Sequence, residues 1–141
     1  MSETIQGILS ALGTGLPVLM LHFAIAGALL AGGVGLYNLV TPFHERRLIA
    51  EGNTAAGIVF AGVLIGLAIP LGTSLAYSPS TLDVLVWGAV AVVLQLVAYF
   101  IAASLLGNVR RLIEGGNVAA AYWLAGVQIS VALLNAGAMA G

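Results

Sequence analysis

Arg46-Arg47-Leu48-Ile49-Ala50-Glu51-Gly52-Asn53-Thr54-Ala55-Ala56 returns further along the chain as Arg110-Arg111-Leu112-Ile113-Glu114-Gly115-Gly116-Asn117-Val118-Ala119-Ala120. The likeness runs on through Ala61-Gly62-Val63 and Ala125-Gly126-Val127. These two strings hold all four basic residues of the protein. On either side of them lie blocks without any Asp, Glu, Lys or Arg: residues 4–44, 52–82, 84–109 and 115–141. A membrane-spanning helix needs about 20 apolar residues, so each block has room for one. The expected spans are Leu16–Val40, Thr54–Tyr77, Val84–Gly107 and Val118–Met139.

The composition agrees with lipid as the solvent. Of 141 residues 61% are hydrophobic and 6% charged, where a soluble domain carries roughly 25% charged residues. Nine charges cannot cover a water-facing surface of this size. The net charge of −1 gives no field that would draw nucleic acid. With no cysteine, thiolate metal sites, disulfides and Cys nucleophiles are all excluded.

The arginines also set the expected orientation. Short loops rich in Lys or Arg stay in the cytosol. Both Arg pairs fall in loops 41–53 and 108–117, and the N-terminus, the Ser78–Asp83 loop and the C-terminus have none. Both termini are therefore expected outside, which is the periplasm in a Gram-negative cell. The N-terminus carries Glu3 and no basic residue, unlike a cleaved secretory signal. Ile5, Ile8, Leu9 and Leu12 form a helical apolar stripe, interrupted by Gly13, Gly15 and Pro17. This pattern predicts a short interfacial segment over 1–15, followed by two-helix units over 16–77 and 78–141. A longer tilted first span is the competing reading. Because each unit holds an even number of spans, the two are expected to share one orientation, as a parallel repeat.

Several residues stand out as candidates. Asn53 and Asn117 follow glycines and precede spans, which suits N-caps that accept from otherwise unpaired N–H groups. With Arg46, Arg47, Arg110 and Arg111 they form a candidate site for anionic lipid headgroups, since helix N-termini and Arg forks both favour phosphate. Gln95, Gln128 and Asn135 are the candidate intramembrane polar residues. Gln95 and Gln128 fall at similar depth, as an interhelical amide pair or as part of a polar path. Pro70 is expected to kink its helix. Gly27, Ala31 and Gly35, then Gly62 and Gly66 with their counterparts Gly126 and Ser130, are spaced as helix-contact faces. His22 belongs near the outer interface, and His44-Glu45 lies in an inner loop where solvation is the simplest expectation. The two histidines fall at opposite faces, so no metal site is expected. No nucleophile–base pairing of the kind hydrolysis needs is present, and no cofactor is indicated.

Tyr37-Asn38-Leu39-Val40-Thr41-Pro42, Glu45, Leu48-Ile49, Gly52-Asn53, Ala55-Ala56, Ile65-Gly66, Ile69-Pro70, Gln95, Gly116-Asn117, Ala119-Ala120 and Leu133-Leu134-Asn135-Ala136 together resemble the bacterial inner-membrane family named Domain of Unknown Function 350. The resemblance covers nearly the whole chain after its N-terminal segment. It implies a four-span inner-membrane protein built of paired helices, and it brings no catalytic residues. The expected fold is all-α and polytopic. The expected role is a non-enzymatic membrane component that associates with lipids, with itself or with other membrane proteins. A small oligomeric channel or transporter subunit is the alternative.

Overall fold

The computed structural model covers residues 1–141 and is helical with short connections. Four helices are long and apolar enough to cross a membrane: α1 (Ser2–Val40), α3 (Thr54–Tyr77), α4 (Thr81–Leu106) and α6 (Val118–Ala140). Two six-residue helices, α2 (Glu45–Ala50) and α5 (Val109–Glu114), cap one end of the bundle. The long helices are apolar on every side, as lipid-facing elements must be. Many of their large side chains (Leu39, Leu105 and Leu134 among them) point away from the core.

The short connections force the helices to alternate in direction. All four arginines gather at one end, which we call the arginine end, and both termini lie at the other. At the arginine end α2 and α5 close with the same turn. Gly52 (φ +85°) and Gly116 (φ +78°) take the left-handed conformation that follows a helix. The Asn53 N–H donates to Leu48 O at 2.8 Å, and the Asn117 N–H to Leu112 O at 2.9 Å. The repeated string therefore has a repeated local structure.

The core is centred on α3 and α6, with α4 packed across both and α1 resting on α3 and α4. Small residues set the distances, as expected where apolar side chains gain nothing by leaving lipid. A Cβ on Gly62 would lie 2.5 Å from Ala125 Cα, so α3 and α6 touch backbone to backbone there. Gly88 of α4 similarly receives Leu29 of α1, and Gly33 of α1 faces Leu67 and Val92. The other expected contact faces differ. Gly27, Gly35 and Gly126 have nothing near the position of a Cβ, and Ala31 and Ser130 are exposed. The face of α6 that meets Gly62 is centred on Ala125, one residue before the repeat position, and this turns Gly126 away.

At the N-terminus, α1 runs unbroken from Ser2 to Val40, past Gly13, Gly15 and Pro17. The helix is thus continuous where an interruption after residue 15 was expected. One proline removes one hydrogen bond, and in lipid a helix keeps its remaining backbone groups paired by staying helical. Likewise α3 continues through the buried Pro70 to Tyr77.

Candidate functional site: the glutamine pair and the arginine end

Gln95 of α4 and Gln128 of α6 meet inside the bundle, and both are buried. Gln95 Nε2 donates to the Gln128 backbone O at 3.0 Å and to Gln128 Oε1 at 3.1 Å. Gln128 Nε2 returns the bond to Gln95 O at 3.1 Å. The two amides thus bind each other's backbones as well as each other. Gly66 of α3 makes the space, since a Cβ there would lie 2.7 Å from Gln95 Nε2. The geometry is a three-helix clasp. Asn135, two turns further along α6, takes no part in it. Asn135 lines a cavity of about 380 Å³ near the opposite end with Ser74, Ser78 and Trp87.

At the arginine end, Asn53 Oδ1 accepts from Ala56 N and Asn117 Oδ1 from Ala120 N, both at 2.9 Å. Asn53 does one thing more: its Nδ2 donates to Ile113 O at 2.8 Å, tying the first unit's loop to α5 of the second. Arg47 pairs with Glu51 at 2.8 Å and Arg110 with Glu114 at 3.0 Å, both in exposed i,i+4 geometry. Exposed pairs of this kind add little to stability, because water screens them and two long side chains must be held still. Arg46 and Arg111 make no ion pair within the chain.

Glu45 departs from expectation. The sequence assigned it to a solvated loop, yet only 2% of its surface is exposed. It begins α2 and points under the bundle, beside Tyr37 of α1 and Tyr99 of α4. The two rings meet edge to face with centroids 4.9 Å apart. Glu45 Oε1 and both tyrosine hydroxyls are buried without a completed hydrogen bond. Burial pushes the Glu45 carboxyl above the usual carboxylate range, against smaller opposing effects of Tyr37 and the neighbouring His44. One signal for this burial was present in the repeat. The position matching Glu45 in the second copy is Val109, an apolar residue that is also buried.

At the opposite end His22 Nε2 lies 3.2 Å from Thr81 Oγ1, joining α1 to the start of α4. Nothing brings His22 near His44, which opens α2 at the arginine end.

Comparison with known proteins agrees with this architecture. The chain is similar to the UPF0719 inner membrane protein YjfL of Escherichia coli, in strain K12 and in O157:H7, at 30% identity over 118 residues. That match covers 84% of this chain and 89% of the relative. It is also 28% identical over 80 residues to the UPF0719 transmembrane protein YshE of Bacillus subtilis (strain 168), covering 57% of this chain and 60% of the relative. No solved structure matches it. The family model described as Domain of Unknown Function (DUF350) matches residues 11–139, and the chain, a four-span membrane protein, belongs to that family.

Proposed function

We propose that this protein is a multi-pass component of the bacterial inner membrane that acts through association with other helices and with anionic lipid, without chemistry of its own. In this reading the arginine end faces the cytosol and both termini face the periplasm, as the distribution of positive charge favours. The observation that carries the association is the uncovered face of α1. Gly27, Ala31 and Gly35 form a smooth strip one helix turn apart, with no side chain of the same chain over it. A second helix, from a copy of this chain or from another membrane protein, can approach such a strip closely. For lipid, the guanidinium groups without an ion pair are Arg46 and Arg111, at the same end of the bundle as the capped starts of α3 and α6 at Asn53 and Asn117. Arg47 and Arg110 contribute with their charge partly offset. The channel or transporter alternative requires a wetted path at the level of Gln95 and Gln128, and those amides are buried and turned on each other.

Because the chain has no cysteine, a single Ala31→Cys variant reports contacts of this strip cleanly. Oxidative crosslinking in native membranes is expected to yield one defined adduct, either with a second copy or with a single protein partner. Adding Gly27→Ile and Gly35→Ile should abolish it. If the introduced thiol forms no protein adduct while remaining open to lipid-soluble reagents, the strip faces lipid and the association reading fails.

A further inference from the structure

Glu45 is the one acid of this protein buried in its body. Oε1 has no hydrogen-bond partner, and the hydroxyls of Tyr37 and Tyr99 beside it have none either. The same residue lines a cleft of about 210 Å³ at the arginine end, with Asn38, Phe43, His44 and Arg46. The residue therefore lies between the cleft and the phenols, with its carboxyl covered. We infer that the Glu45 carboxyl, held between this cleft and the Tyr37–Tyr99 pair, is a proton-binding site loaded from the arginine end.

The charge balance around it supports a proton as the ligand. A carboxylate removed from water is costly unless a cation is set against it. No nitrogen of an arginine or histidine comes within ion-pair distance of Glu45. Each surrounding element supplies little positive charge. From α1 come Tyr37 and Asn38, from the link Thr41 and His44, from α2 the exposed Arg46, and from α4 Tyr99. Helix α3 carries no titratable group before Tyr77 at its far end. On α5, Arg110 is engaged with Glu114, and Arg111 points to solvent. A single proton neutralises the carboxyl and so removes that cost. In the ionised form the group regains water only by moving toward the cleft. That motion pulls on Thr41–His44, the link between α1 and α2. Burial raises the carboxyl's proton affinity in the same sense.

The test is an infrared pH titration of the whole protein in lipid nanodiscs, reading the C=O stretch of protonated carboxyl groups. A band is expected to persist at pH values where a free glutamate is ionised, above ~4.3. Glu45→Gln should remove it while the helical amide signal stays unchanged. Tyr37→Phe should shift the midpoint upward, because the phenol next to Glu45 favours the ionised form. Replacing choline chloride by sodium or potassium chloride should leave the midpoint where it was. A midpoint driven down by either cation would make an alkali metal the ligand and overturn the inference. So would the lack of a Glu45-dependent band, or a downward shift in Tyr37→Phe.

Discussion

Gly62→Ala tests the packing of α3 on α6 at its tightest point. A methyl group at Gly62 would lie 2.5 Å from Ala125 Cα and 2.6 Å from Ala125 Cβ. Carbon atoms sit comfortably at about 3.5–4.0 Å, so the helices must part by roughly 1 Å or more. The obstacle is backbone, which cannot rotate out of the way. A radial gap of that size forfeits about a quarter to a half of the dispersion energy at each affected contact. Overpacking of this kind costs about 1–3 kcal/mol. Because the clash is with main chain the upper value applies, and the better helix propensity of alanine returns about 1 kcal/mol. The net expected loss is about 2 kcal/mol. Gly126, the repeat counterpart, meets nothing within 4 Å, so Gly126→Ala should be neutral or stabilising by up to about 1 kcal/mol. Reversible unfolding in mixed micelles, titrated with dodecyl sulfate and followed by circular dichroism, measures both. Equal stability of Gly62→Ala and wild type, or equal damage by the two variants, would refute the close approach of α3 and α6.

The remaining predictions address the ends of the bundle. Asn117→Ser should be nearly silent, since serine caps as well as asparagine, whereas Asn53→Ser should lose about 1 kcal/mol with the bond from Nδ2 to Ile113 O; the same unfolding assay separates them. Because the folded state holds the Glu45 proton more tightly, above pH ~4.3 it retains more protons than the unfolded chain does. Stability should therefore fall with rising pH until the folded-state midpoint is passed, then level off, and Glu45→Gln should flatten that slope. Reporters fused after Gly141 should show an outer location, with high phosphatase activity and low fluorescence, since no basic residue follows Arg111. Cytosolic labelling there would overturn the orientation.

Spans, caps and the level of the glutamines were legible in the sequence because each follows from a local rule. Uncharged blocks gave the last three long helices to within a few residues and the end of the first, but not its start at Ser2, and Gly-Asn gave the caps. What depends on how helices rotate against one another was not legible. Gly62 and Gly126 are alike in the repeat, but one lies in an interface and the other faces outward, and only the packing of Ala125 decides this. Glu45 was misplaced for a different reason. Acids in short loops are usually solvated, and the local string gives no hint that α2 folds beneath Tyr37 and Tyr99. Comparing it with Val109 would have exposed the error, because a position that accepts valine in one copy is unlike a solvated loop site. The unbroken α1 shows the limit of helix-breaking rules learned in water, where Gly13, Gly15 and Pro17 would weigh more heavily.

The clasp between Gln95 and Gln128 has a consequence for biogenesis. Helices leave the ribosome in order, so α4 enters the membrane while its amide partner on α6 is still unmade. Until Val118–Ala140 has been inserted, Gln95 lacks that partner and must borrow a neighbour or draw in a water, and α3 lacks the helix that packs most closely on it. A chain halted before its last helix is thus marked by a bare amide on α4, which distinguishes it from the finished product. The C-terminal helix completes the pairing of Gln95, and losing even its second half, from Gln128 onward, should leave that buried amide without its partner.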